Sequence, residues 1–179
     1  LLPAQIQAAN PLLVMLLIPV FSYAVYPAID KIFPLTPLRK ISIGLFDAAA
    51  AFSIPTLLQL SIDHGGAPSI AWQLLAYVVL TAAEVMVSIT CLEFSYTQAP
   101  KTMKSFVMAF FMLSISLGNL FTSAVNFIIR DAEGSSALQG ADYFLFFTVL
   151  MLATAALFVV LARYYRGQIY IHGEQPAGA

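Results

Sequence analysis

The sequence predicts an all-α polytopic membrane protein, and three observations predict it. Of 179 residues, 60% are hydrophobic and only 9% charged, with a mean hydropathy of +0.87. Soluble domains carry about 25% charged residues, so this chain has too few to cover a water-facing surface. The apolar residues also form five continuous runs, each long enough to cross a hydrocarbon core of roughly 30 Å as a helix. Finally, the lysines and arginines fall almost wholly on one side of those runs.

Taken in order, the runs predict spans at about 3–28, 40–61, 70–97, 103–129 and 142–165. Between them stand "DKIFPLTPLRK", "DHGGAPS", "QAPK" and "RDAEGSSALQGAD", which carry the proline, glycine and charge signals of turns. Lys31, Arg39 and Lys40 lie in the first break, Lys101 and Lys104 in the third, and Arg163 and Arg166 at the end of the last span. Those seven of the eight basic residues share one side, which the positive-inside rule makes cytoplasmic; the eighth, Arg130, sits among Asp131, Glu133 and Asp142. The expected setting is a cell inner (plasma) membrane, with the amino terminus outside and the polar tail 166–179 cytoplasmic. The opening "LLPAQIQAANP" has no initiating Met, basic n-region or cleavage site. It reads as a piece of a longer chain, the last five helices of an even-numbered bundle with one helix of that half missing.

Composition also narrows the function classes. A net charge of −1 offers no basic field, so no nucleic acid is expected as partner. The single cysteine, Cys91, reads as a small packing residue, and His64 and His172 fall outside the spans. No cofactor and no metal are expected: CxxC, HExxH, the P-loop and Gly-rich nucleotide fingerprints are all missing from the sequence. An enzyme is not expected either. Glu84 and Ser88 lack the base and orienting third group that a nucleophile needs.

Inside the spans, Pro11, Pro19 and Pro55 each remove a backbone hydrogen bond and can kink a helix. Ser114, Gly118 and Thr122 recur every four residues, a pattern that lets membrane helices approach closely. Asn10, Asn119 and Asn126 should face protein or water rather than lipid.

The acids carry the functional signal. On the third span Tyr77, Thr81, Glu84, Ser88, Cys91 and Ser95 follow one another at three- and four-residue steps, making a single polar stripe. Glu84 lies near its middle, where an ionised group costs about 2.5–3.5 kcal/mol on insertion scales. It is either a protonated carboxyl bonded to Ser88 or a carbonyl, or a substrate or proton site; intramembrane acids default to the second. Glu93, nine residues on, falls on the opposite face at about 100° per residue, near the cytoplasmic end. It is expected to be a structural or gating ion-pair partner for a basic residue. Asp47, in the second span with Lys40 seven residues before it, is open to either a structural or a coupling role.

The stretch "AAEVMVSITCLEFSYTQAPKTMKS" resembles the tenth-helix signature of the proton-dependent oligopeptide transporters, within the major facilitator superfamily. That signature has a mid-membrane Glu, a Ser four residues later, Leu-Glu-Phe-x-Tyr, and Ala-Pro before a basic loop. "QIQAANPLLVMLLIPVFSY" is similar to the family's eighth helix, and "TPLRKISIGLF" and "FFMLSISLGNL" to the starts of its ninth and eleventh. The resemblance runs in order over nearly the whole chain. It implies helices eight to twelve of a twelve-helix transporter, within the C-terminal six-helix bundle, whose cavity lies between two such bundles. It further implies symport of protons with di- and tripeptides by alternating access. On this resemblance Glu84 meets the peptide amino terminus, Ser88 lines the pocket beside it and Asn10 bonds the peptide backbone. Phe111 stands where the family commonly has Trp, which keeps an apolar wall but loses an indole donor. The partners implied are peptides, protons, the bilayer, and the N-terminal bundle and seventh helix of the same protein. The competing readings are a transporter of another solute, such as nitrate or a drug-like compound, and a non-transporting membrane subunit.

Overall fold

A computed structural model of the chain describes residues 3–129 and 140–165. The charged break around Arg130 and Glu133, the tail from Arg166 and His172 lie outside the described residues. Five helices are long and apolar enough to cross a membrane. Helix α1 comprises Pro3–Val20, a wider π turn at Phe21–Val25, and Tyr26–Asp30. Helix α2 is Pro37–Asp63, and α3 comprises Ile70–Glu84, a second π turn at Val85–Ile89, and Thr90–Gln98. After a 3₁₀ turn at Lys101–Met103 comes α4, Lys104–Ile129, and then α5, Ala141–Tyr164. The chain is a multi-pass, all-helical membrane protein.

Local chemistry sets the helix ends. Thr36 is extended at the N-cap of α2, and Pro37 follows at a first-turn position, where its missing N–H has no intrahelical partner to lose. The helix therefore begins at Pro37, earlier than the 40 expected from hydropathy. Its other end closes with Gly65 at φ +82°, whose N–H donates to Ile62 O while Gly66 N–H donates to Ser61 O. This pair of bonds satisfies the last carbonyls and requires a left-handed residue, which glycine supplies. Ser69 opens α3 by accepting from Ala71 N–H at 3.3 Å.

The helices form a row in the order α1, α3, α2, α5, with α2 packed between α3 and α5. Small residues are buried along both helices, with Ala48, Ala49 and Ala51 on α2 and Thr148 and Ala155 on α5. Phe52 and Phe147 stack across the two helices with ring centres 6.3 Å apart. Small side chains let the backbones approach, which replaces the hydrophobic drive that lipid does not provide. Polar side chains within the spans bond back to their own helix, as Thr56 does to Phe52 O and Thr148 to Phe144 O.

The backbones of α2 and α3 come close at Gly44 of α2. A Cβ there would lie 2.8 Å from Val87 Cγ2, 2.9 Å from Met86 Cβ and 3.3 Å from Val87 N. Met86 and Val87 belong to the π turn of α3, so the widened turn bulges into the space that glycine leaves. The α1 π turn is packed nearby: Phe21 is buried in one cluster with Val85 and Met86, joined by Val14, Leu17 and Tyr26. In α1 the cause is visible in the chain. Tyr26 N–H donates to Phe21 O, five residues back, and Pro27, which has no N–H to give, follows directly.

Helix α4 has no buried residue, and its backbone meets only the Thr90–Gln98 half of α3 and the preceding 3₁₀ turn. A Cβ on Gly118 would touch nothing within 4 Å, while Ser114 and Thr122 bond back to Phe110 O and Gly118 O. The small-residue stripe therefore packs against no described helix of this chain. Helix α2 runs unbroken through Pro55 from Pro37 to Asp63, and the irregular turn of α1 follows Pro19 and precedes Pro27.

Candidate functional site

The site is built where α1 meets α3. Thr81 is buried at 2% exposure, and its hydroxyl oxygen lies 2.8 Å from Tyr77 O and 3.1 Å from Asn10 Oδ1. Its single proton is shared between those two acceptors. That contact fixes which way the Asn10 amide points. Asn10 Nδ2 then donates to Glu84 Oε2 at 3.3 Å. Thr81 orients Asn10, and Asn10 holds one oxygen of the Glu84 carboxylate.

Glu84 and Ser88 are exposed in this chain, on a face that no described helix covers. With Oε2 held by Asn10, Oε1 has no hydrogen-bond partner among the described residues. Among the described residues Asn10 keeps one amide proton and one oxygen lone pair without a partner. The carboxylate also sits directly before the π turn of α3, a local widening found often at functional sites.

The π turn rearranges the polar stripe expected from sequence. It inserts one residue into the helical count, which turns everything beyond it by about 100°. Cys91 and Ser95 swing off the Glu84–Ser88 line and are half-buried. Glu93, expected on the face opposite Glu84, comes instead to about a quarter turn from it. There it lines a cavity of about 500 Å³ with Ser22, Tyr26, Asp30, Lys40 and Thr90. Lys40 Nζ stands 4.2 Å from the centre of the Tyr26 ring on the same wall.

The other named residues lie apart from the Asn10–Glu84 bond. Asp47 is half-buried on α2, one turn beyond Gly44. Phe111 is half-buried on α4, which leaves the row between its two ends. Those ends are held by Lys104 over the Tyr96 ring at 5.7 Å and by Tyr143, whose hydroxyl donates to Asn126 Oδ1 at 2.9 Å. Sequence reading placed Thr81 on the stripe without giving it a partner, and passed over Gly44 and Phe21. A lone glycine inside an apolar span was the available signal for Gly44.

A five-span helical bundle with a hydrogen-bonded carboxylate facing an uncovered side has the form of one wall of a membrane transport cavity. The comparisons give that wall a family: the POT family profile, PTR2, matches residues 1–143, and the chain belongs to this family. It is 46% identical over 97 residues to rat solute carrier family 15 member 2, covering 54% of this chain and 12% of that protein. It is 32% identical over 141 residues to the peptide transporter PTR2 of Saccharomyces cerevisiae, covering 72% of this chain and 24% of that one. Among solved structures it is similar to an auto-inhibited POT family peptide transporter, with a TM-score of 0.82 and 37% identity. That match covers 97% of this chain and 35% of the other. The POT family transporter PepTSo gives the same TM-score at 40% identity, with 92% and 34% covered. The chain thus spans between an eighth and a quarter of these curated relatives' length, and about a third of the matched structures.

Proposed function

We propose that this chain supplies the eighth to twelfth helices of a proton-coupled symporter for di- and tripeptides, forming most of its second bundle. The observation that carries the reading is the Thr81–Asn10–Glu84 relay on an uncovered face of a POT family chain. A carboxylate there attracts a peptide ammonium far more strongly than it can in water, because less solvent screens it. Asn10 holds the carboxylate toward the cavity and offers its remaining amide groups to the peptide backbone. Ser88 lies one turn below, and Phe111 forms an apolar wall reached when the missing helices close the cavity. Glu84 is a proton-coupling candidate as well as the proposed partner of the peptide ammonium. Glu93 and Lys40, on the cavity nearer the basic end, are the gating candidates, and Asp47 a second coupling candidate. The partners are peptides, protons, the bilayer, and the first bundle with the seventh helix.

Thr81→Val tests the relay without altering shape. A neutral hydrogen bond contributes about 0.5–1.5 kcal/mol, so dipeptide affinity is expected to fall roughly two- to tenfold. Expression stays normal, since the valine fits the same buried space. Unchanged affinity means that Asn10 needs no such brace.

Orientation is tested separately. We place the basic end, with Arg39, Lys40, Lys104 and Arg163, in the cytoplasm of a plasma-membrane protein. A single cysteine at Ser69 is expected to react with an impermeant thiol reagent on intact cells, and one at Thr102 only after permeabilisation. The reverse pattern overturns the placement. Peptide-stimulated proton influx by the complete protein separates the peptide reading from transport of another solute.

A further inference from the structure

At the basic end, away from Glu84, a groove of about 520 Å³ runs between the start of α2 and the end of α5. Arg39 and Arg163 line it from the two helices, together with Thr36 and Ser42. No acid lines it among the described residues, so its fixed charge is positive. Arg39 is already braced: Nη1 donates to Pro34 O at 2.8 Å, and the guanidinium lies 4.3 Å from the centre of the Phe33 ring. Those contacts use one edge and one face of the guanidinium and hold the rest of its donors ready. A pre-set arginine fork loses little freedom when it takes up an anion.

The remainder of the groove is apolar. Ile43, Phe46 and Val159 continue from the arginines along the two helices, and Phe46 is 45% exposed. The row order α1, α3, α2, α5 puts this groove at the opposite edge from the Glu84 face, where the cavity partners would close. A site with two cations at the end of the spans and an apolar track leading toward their middle suits an anion with a hydrocarbon tail. Basic pockets between transmembrane helices take up anionic headgroups in this way.

We propose that the Arg39–Arg163 groove binds an anionic phospholipid, its phosphate held by the two guanidiniums and an acyl chain lying along Phe46 and Val159. The shared chemistry with a free phosphate ion lies in the headgroup alone; the apolar track argues for the lipid. Assignment to the inner leaflet rests on the orientation given above, whereas the site does not rest on the transport reading. A protein that fails to carry peptides can still hold this lipid.

The test is native mass spectrometry of the complete transporter, titrated with phosphatidylglycerol or phosphatidylcholine of matched chains. Phosphatidylglycerol is expected to bind preferentially, and Arg39→Gln and Arg163→Gln each to weaken it about tenfold, the scale of one charge-assisted contact. Phosphatidylcholine binding is expected to stay as it was. Millimolar inorganic phosphate should leave the lipid in place; displacement would make this a free-anion site and overturn the proposal. Equal binding of the two lipids by the unmodified protein overturns it without any variant. Should either glutamine variant fold poorly, Arg163→Lys keeps the charge and loses the fork. A smaller loss of phosphatidylglycerol supports the site, and no loss counts against a guanidinium contact.

Discussion

Glu84→Gln is expected to abolish proton-driven dipeptide uptake in the complete transporter while leaving its amount in the membrane near normal. Glutamine has the size of glutamate, and its side-chain carbonyl can still accept from Asn10 Nδ2, which is 3.3 Å from the native carboxylate. Thr81 and Asn10 therefore keep their arrangement, and α1 stays docked on α3. What is lost is the negative charge. Hydrogen bonds to charged groups are worth about 1.5–3 kcal/mol, so binding of peptides with free amino termini falls about ten- to a hundredfold. Uptake measured in cells at matched expression checks the result. Wild-type uptake would make Glu84 a structural acid and remove the centre of the proposed site. The contrasting change, Glu84→Leu, separates transport from scaffolding: a subunit that merely packs would tolerate it or gain stability.

Gly44→Leu is expected to prevent stable folding altogether. The first atom beyond glycine already meets Met86 Cβ at 2.9 Å and Val87 N at 3.3 Å, and neither is the free end of a flexible chain. Overpacking of a filled core typically costs about 1–3 kcal/mol, and leucine adds three further carbons to the same contact. To relieve it, α2 must leave the π turn of α3, which also holds Phe21 of α1 in place through Val85 and Met86. Gly44→Ala makes the milder version of the same insult and should lower the melting temperature in detergent without eliminating folded protein. Gly118→Leu on α4 is the control, since a Cβ there would meet no other helix among the described residues within 4 Å. Equal loss from both leucine substitutions would mean that the intolerance at Gly44 has nothing to do with the α2–α3 contact.

The all-helical, five-span class was legible because hydropathy acts at the length scale of a whole span, and one residue more or less changes nothing. Finer features depend on single residues and on partners distant in sequence. The wide turn after Glu84 carries no proline and no break in hydropathy; its cause lies across the bundle, where Gly44 leaves room for it. One residue inserted there was enough to move Glu93 from the far side of α3 to the cavity shared with Lys40 and Tyr26. The turn in α1 was closer to readable, since Pro27 announces a missing donor, yet nothing in the sequence said that the two turns pack together. Glu84 itself stood out as an acid in an apolar run. Asn10, seventy-four residues away, could be paired with it only through the fold. The spacing of small residues on α4 specifies that a helix can approach it, not which helix does.

The central claim is that Glu84 recognises the peptide's amino terminus. The most direct measurement compares binding of a dipeptide and its N-acetylated form to the complete transporter, before and after Glu84→Gln. The native protein should prefer the free amine by about tenfold or more, the scale of one charge-assisted contact. The variant should bind the two forms almost alike, because acetylation and the substitution remove opposite ends of one interaction. A preference for the free amine that survives Glu84→Gln undiminished would contradict the claim and place the ammonium on another residue.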